Sequence, residues 1–309
     1  MPYFNHDQIN FHYLERPHSG AGVSPASRGV SPSNSLTRAR RPDGRRDPCP
    51  TTFAFQHGLG GDTERVFELL GPLPGFSLVG LDCRGHGDTK PLGDVEKLSF
   101  DSFADDVIAL LDHLGVRLAI VGGTSMGAGV ALNCAIRYSQ RLLGLVLLRP
   151  AWLDGPMKTN ATTFGLIAKL LREHGAQKGA EIFKQSDSYA SILSESPDAA
   201  NSLLELFLHP RALETVAKLE RIPQDAPNCD RAHWRQISLP TLVLANRSDP
   251  IHPFEFGTVL AGEIPKAEFT ELTPKSVNLA QYSLEVRSNI AAFLQRHWPL
   301  TVSPMNHYA

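Results

Sequence analysis

Among 309 residues the chain carries four cysteines, four methionines, three tryptophans and almost no net charge, −2 at pH 7. Each shortage removes a class of protein. Cys49, Cys83, Cys134 and Cys229 are far apart and show no CxxC or mixed His/Cys spacing. Neither a disulfide framework nor a metal site is expected, and the thiols read as reduced. A near-neutral charge gives no electrostatic reason to bind nucleic acid or an anionic membrane surface. No run approaches the roughly 18 apolar residues of a membrane span. The start, MPYFNHDQINFHYLE, has neither the basic residues nor the apolar stretch of a leader. These absences lead to the expectation of a cytoplasmic protein whose partner is a small molecule, with no nucleic acid, membrane, metal or cofactor. What is present is a hydrophobic fraction of 42%, enough for one large core or a core with an insertion.

Residues 2–15 alternate like two short strands around the turn NHDQ, with Ile9, Phe11 and Tyr13 on one face. Composition then breaks. Residues 17–50 are rich in Ser, Pro, Gly and Arg, with six arginines against two aspartates. So little apolar surface cannot offset the entropy of ordering, and the tract reads as a disordered surface insertion, with a basic binding arm as the alternative. Strands and helices alternate afterwards. TTFAFQHG, FSLVGLDCRG, LAIVGG and LLGLVLL read as strands. SFDSFADDVIALLDHLG reads as a helix, with Phe103, Val107, Leu110, Leu111 and Leu114 on one stripe and Gly115 as its stop. Unbroken apolar strands are buried on both faces, which means a parallel sheet covered by helices.

From Asp154 to about Arg235 the strand signal vanishes, and segments such as TTFGLIAKLLREHG and ANSLLELFLHP read as short helices. LPTLVLAN, PFEFGTVLAGEIP, AEFTEL and LAQYSLEVRSNIAAFLQRH then resume the alternation. Tyr282, Val286, Ile290 and Phe293 share a face of the last helix. The expected fold is α/β: a mostly parallel, doubly wound sheet with helices on both faces and a helical lid insertion. Its core spans 1–153 and 236–309, and its lid 154–235.

The stretch VGGTSMGAGVAL holds the first chemical signal. Gly123-Thr124-Ser125-Met126-Gly127 lies between a strand and a helix. So sharp a turn strains the serine backbone, requires neighbours without side chains, and lifts the hydroxyl above the sheet. Acyl transfer further needs two donors for the developing oxyanion. Met126 N–H at the helix start is one candidate. Leu59 N–H in QHGLGGD is the other.

Together QHGLGGD, LDCRGHGDT, GGTSMGAG and LANRSDPIHP, in this order and at these spacings, resemble the α/β-hydrolase superfamily over nearly the whole chain. The superfamily hosts esterases, lactonases, C–C hydrolases, dehalogenases, epoxide hydrolases and cofactor-free oxygenases, so the resemblance says little about substrate. Serine at the elbow argues against the dehalogenase and epoxide-hydrolase branches, which use aspartate there. The resemblance implies that Asp249 is the acid that orients an imidazole.

The imidazole itself is missing from its usual place. In the superfamily it sits between the final strand and final helix, here Leu272 to Asn278, which contains no histidine; none occurs from Pro253 to Arg296. His252 is one candidate base, although it lies only three residues from Asp249. Lys275 stands almost where the histidine should, but an ammonium must lose its charge to act as base, and Asp249 nearby opposes that. A Lys275–Asp249 ion pair is the pairing this favours. A third possibility is that no base exists. His57 and His86 stand at the same edge of the sheet and are open to recruitment; with Trp152 they are expected to line the pocket, as are Arg149 and Asp154. The chain is thus expected to hydrolyse a small, largely apolar ester or lactone, using Ser125, Asp249 and His252 with Leu59 and Met126 as oxyanion donors. The alternative is a catalytically impaired pseudo-hydrolase that binds a small apolar ligand.

Overall fold

The computed structural model describes residues 2–17, 51–157 and 160–299. The arginine-rich tract lies outside them apart from its first residue, and so does Cys49. Cys83, Cys134 and Cys229 are free thiols.

The early alternation forms a hairpin. β1 (Tyr3–His6) and β2 (Ile9–Arg16) pair antiparallel with Phe4 opposite Phe11, and Asp7 and Gln8 turn the chain at φ of 48° and 62°. The α/β part follows as β3 (Thr51–Gln56), α1 (Thr63–Leu70), β4 (Phe76–Leu81), α2 (Phe100–His113), β5 (Ala119–Thr124), α3 (Met126–Arg137) and β6 (Leu142–Leu148). Four helices come next without a strand among the described residues: α4 (Ala161–Phe183), α5 (Asp187–Glu195), α6 (Pro197–Leu208) and α7 (Ala217–Arg221). The chain then returns through β7 (Thr241–Asn246), α8 (Phe254–Glu263), β8 (Ala267–Leu272) and α9 (Leu279–His297). Sequence periodicity ends the first inserted helix at Gly175. In the structure Gly175 is a kink at φ 74°, and α4 resumes beyond it.

The eight strands form one sheet in the order β1-β2-β4-β3-β5-β6-β7-β8. The β1–β2 and β2–β4 pairs are antiparallel, and all pairs from β4 through β8 are parallel. From β3 the chain first steps to one side, then crosses back to β5 on the other. Ligand crevices form at the carboxyl ends of strands where the order reverses in this way. Here those ends are Gln56 and Thr124, which lead into the QHGLGGD loop and the elbow.

Alternate residues of a strand face opposite ways, so the unbroken apolar strands feed two cores. Phe53, Phe55, Ile120 and Val146 meet Phe67 of α1 and the α9 stripe of Tyr282, Val286, Ile290 and Phe293. Those four α9 side chains are at most 2% exposed, and their burial is worth roughly 6–12 kcal/mol against the exposed chain. Ala54, Val121 and Leu145 face the other way, toward α2, α3, α8 and the inserted helices.

The loop after β4 is built around one carboxylate. Asp82 accepts from Thr63 N (2.8 Å), Thr63 Oγ1 (2.7 Å), Asp88 N (2.9 Å) and His12 Nδ1 (2.7 Å). Burial alone would raise its pKa. His12 and the backbone donors outweigh burial and hold it well below the usual carboxylate range. A carboxylate with a depressed folded-state pKa contributes stability above its unfolded value and loses it as pH falls toward the folded value. Asp82→Asn is expected to cost about 3 kcal/mol at pH 7. In urea denaturation the gap to the wild type should be full near about pH 5–6 and narrow below about pH 4 as Asp82 protonates. It should also narrow in part at alkaline pH as His12, whose pKa Asp82 raises, loses its proton.

Candidate functional site

Ser125 is the single residue between β5 and α3, at φ 57° and ψ −115°. A side-chain-bearing residue there stores about 1–3 kcal/mol and persists only where its surroundings fix it. Ser125 N donates to Leu148 O at 3.0 Å, tying the bend to β6. The flanking glycines permit the rest. A Cβ on Gly123 would lie 2.2 Å from Gly127 C, and one on Gly127 would lie 2.2 Å from Gln56 O. The ends of β3, β5 and α3 meet because neither has one. Met126 opens α3, so its N–H is a first-turn donor without a helical acceptor; its side chain is buried.

The QHGLGGD loop lies directly against the serine. A Cβ at Gly58 would stand 3.7 Å from Ser125 Oγ. His57 Nε2 accepts from Cys83 N at 3.0 Å, which leaves Nδ1–H to donate to Gly58 O at 2.8 Å. Gly61 N donates to the same oxygen at 3.0 Å. In a trans peptide the C=O and the next N–H point opposite ways, so His57 fixes the direction of Leu59 N–H. Burial lowers the His57 pKa and keeps it neutral. Both nitrogens are occupied, so His57 borders the cavity as a prop for the loop rather than as a free base. His86 and Trp152, expected to line the pocket, stand behind its wall. His86 is fully buried between Arg84 O (2.9 Å) and Leu59 O (3.0 Å). Trp152 packs edge-on against Phe100 at 5.1 Å. Asp154 is engaged by Arg231 at 2.8 and 2.9 Å.

Ser125, Leu59, His57, Arg149, His252 and Lys275 border one cavity of about 310 Å³. Val66, Phe164, Leu203, Leu206 and Ile251 supply much of its apolar wall. Ser125 Oγ makes no hydrogen bond to a described residue. His252 places Nδ1 3.0 Å from both oxygens of Asp249. The i,i+3 spacing therefore does join acid and imidazole.

Arg149, expected at the pocket, does border it, but sequence reasoning does not foresee its tie to Asp249 and His252. Arg149 leaves β6 at φ 47° and sends Nε (2.8 Å) and Nη2 (2.5 Å) to Asp249 Oδ2. The same Nη2 lies 3.0 Å from His252 Nδ1. Its one visible signal is position, a cation at the carboxyl end of an apolar central strand. Burial would raise the Asp249 carboxyl, but His252 and Arg149 overturn this and hold it far below its ordinary range. Burial also opposes charge on His252, and Arg149 adds to that against the pull of Asp249, so the imidazole is neutral near pH 7.

A neutral imidazole has one N–H. If Nδ1–H donates to Asp249, Nε2 keeps a lone pair and can take a proton. If Nδ1 accepts from Arg149, Nε2 carries the proton and cannot. Arg149 thus competes with Asp249 for the tautomer.

Lys275 does not pair with Asp249. Its Nζ lies 2.9 Å from Asp198 Oδ2 on α6, because Asp249 is already taken by Arg149 and His252. Arg65 of α1 reaches Glu205 of the same helix at 2.7 Å. Both pairs hold α6 beside the cavity.

A family model described as alpha/beta hydrolase fold matches residues 51–280. The chain is 27% identical to AB hydrolase superfamily protein YisY of Bacillus subtilis, covering 69% of this chain and 80% of that one. It is 25% identical to 3-oxoadipate enol-lactonase 2 of Acinetobacter baylyi, covering 72% and 79%. A further match, 32% identical over 40% of this chain, spans only 32% of the dihydrolipoyllysine-residue acetyltransferase component of the acetoin cleaving system of Cupriavidus necator. Among solved structures, the enol-lactonase from Burkholderia xenovorans LB400 superposes with a TM-score of 0.66 at 18% identity, covering 95% of this chain and 100% of that one.

Arg149→Met removes a cation from the imidazole and one contender for Nδ1. The His252 titration midpoint, followed by ring nitrogen NMR, is expected to move up by about one pH unit, with Nδ1 protonated in the neutral form.

Proposed function

Because the chain belongs to the α/β-hydrolase fold family, we propose that it hydrolyses a small, largely apolar ester or lactone through Ser125. The observation that carries this reading is a strained serine facing the Gly58–Leu59 loop in a cavity that an Asp249-bound histidine also borders. Relatives named as an enol-lactonase and a bifunctional esterase/perhydrolase support it.

In this mechanism His252 Nε2 takes the Ser125 proton as Oγ attacks the carbonyl carbon. The carbonyl π electrons move onto oxygen, where Met126 N–H and Leu59 N–H receive the charge. Asp249 holds the imidazole and stabilises its cationic form. The tetrahedral intermediate collapses, the C–O bond breaks, and the leaving alkoxide takes the proton from His252. For a lactone the leaving group stays attached. Water, deprotonated by the same imidazole, then releases the acid and restores Ser125. No metal or cofactor enters. The helices of 154–235 act as a cover, with the Lys275–Asp198 and Arg65–Glu205 pairs seating α6. No helix among the described residues is long and apolar enough to cross a membrane, and a cytoplasmic location is part of the proposal.

One observation favours a second reading. Arg149 grips Asp249 and competes for His252 Nδ1, which suits a pocket that binds a small apolar ligand without turnover. A fluorophosphonate probe separates the two. On the hydrolase reading Ser125 is labelled within minutes, Ser125→Ala is not, and His252→Ala is slowed about 100-fold or more. Lys275→Ala should label like the wild type. No labelling of a folded wild-type protein would leave the binder.

A further inference from the structure

We propose that Lys218, on the inserted helix α7, is a positioning residue for the oxyanion loop, acting through the backbone of residues 83–89 and the His86 ring. The inference rests on reading Leu59 N–H as an oxyanion donor, and extends it to the side chains that keep the donor in place.

Lys218 is 5% exposed, and its Nζ donates to Gly85 O at 3.1 Å. Arg211, also from the inserted segment, donates through Nη1 to Gly87 O and Thr89 O, each at 2.8 Å. Three carbonyls of one loop are thus held by two basic side chains from outside the sheet. The loop needs such holds: Gly85 and Gly87 sit at φ 73° and 44° on either side of His86, in a region glycine enters without penalty. His86 in turn faces Leu59 O and Arg84 O with its two nitrogens. Burial first, and then Lys218 and His57, lower its pKa and keep it neutral. It therefore has one N–H for two carbonyls. Its grip on Leu59 depends on where the loop backbone sets the ring.

Leu59 O and Gly60 N–H share a peptide, next to the one that bears Leu59 N–H. With His57 donating to Gly58 O and His86 Nε2 standing 3.0 Å from Leu59 O, the two peptides around Leu59 each face a ring. His57 is anchored to Cys83 N, so both rings hang on the same 83–89 loop. The loop is what the inserted helices clamp.

A lysine so buried, with one carbonyl as its hydrogen-bond partner, is an expensive clamp. Burial and, secondarily, Arg211 lower its pKa to about 7, against a small opposing pull from Asp62. The other titratable groups that feel its charge are His57, His86 and His209. A lysine with a folded-state value below its unfolded one destabilises fully below about pH 7, and the penalty fades as pH rises toward the unfolded value. A purely structural lysine would lose stability and activity together when replaced. This one should not.

The test compares wild type, Lys218→Met, Arg211→Gln and Glu220→Gln. The last breaks the Arg172–Glu220 pair of the inserted helices and controls for general loosening. Lys218→Met is expected to melt higher than wild type at pH 6 and less so at pH 9. It should also lower kcat on p-nitrophenyl butyrate about ten-fold with KM unchanged. Amide hydrogen exchange in residues 57–61 should speed up about ten-fold in Lys218→Met and Arg211→Gln, and stay at the wild-type rate in Glu220→Gln. Exchange in 57–61 unchanged in a folded Lys218→Met or Arg211→Gln would overturn the proposal, as would equal acceleration in Glu220→Gln. If the wild type neither hydrolyses the ester nor accepts a fluorophosphonate, the hydrolase reading falls, while the exchange comparison still decides whether the inserted helices hold the loop.

Discussion

Gly127 lies against the Gln56 carbonyl so closely that a methyl group placed there would fall 2.2 Å from the oxygen. That approach lets the first turn of α3 settle over the end of β3, and it brings the QHGLGGD loop to the serine. Parallel pairing of β3 with β5, Gln56 beside Gly123, sets the register of the two loops. The bond from Ser125 N to Leu148 O adds β6 as a third fixed point. A backbone at φ 57° holds because three strand ends determine it. The strain is thus an outcome of sheet geometry, with the sheet in turn held by two apolar cores.

Charge organises the other side of the cavity. A hydrogen bond to a charged group nets about 1.5–3 kcal/mol. Asp249 Oδ2 accepts from Arg149, while His252 Nδ1 lies 3.0 Å from both carboxylate oxygens. The arginine and aspartate cancel, so a buried imidazole between them has no reason to charge. Neutrality is what a base needs before it acts, but the nearby guanidinium also makes an imidazolium harder to form. The same contact prepares the histidine and restrains it, which is why the hydrolase and binder readings meet at this one side chain.

What the sequence discloses here is local or periodic. The unbroken apolar strands, the α9 stripe from Tyr282 to Phe293, and the glycine-flanked Ser125 all stand at their expected places. The Asp249–His252 contact is legible because three residues separate its partners. Arg149 and Asp249 are 100 residues apart, and Lys275 and Asp198 also lie far apart in the chain. No spacing rule connects such pairs, since the sheet and the inserted helices bring them together only on folding. His86 and Trp152 look like cavity residues because they stand at the right edge of the sheet. Their depth behind the wall follows from packing against Leu59 and Phe100, and linear sequence does not encode depth. At Gly175 the helical path does break, at φ 74° and ψ −178°, as a glycine stop implies, and a second helical stretch begins directly beyond it.

In the superfamily the segment before the last helix carries the imidazole, and here it carries Lys275. An ammonium cannot take over the histidine's task without losing its charge, and this one is engaged by Asp198 at 2.9 Å. The segment therefore holds a helix instead of a proton: its lysine ties α6 down at the cavity, opposite the Arg65–Glu205 pair. On the hydrolase reading, an imidazole for Ser125 comes from another loop at the same strand ends. The loop after β7 is the one already committed to Asp249, so a histidine there reaches the carboxylate without any second loop being aligned to it. The imidazole is set by Arg149 at 3.0 Å and by its own turn, in which His252 N donates to Asp249 Oδ1 at 3.2 Å. Asp249 and His252 on one short turn move together, so whatever shifts one relative to the serine shifts both.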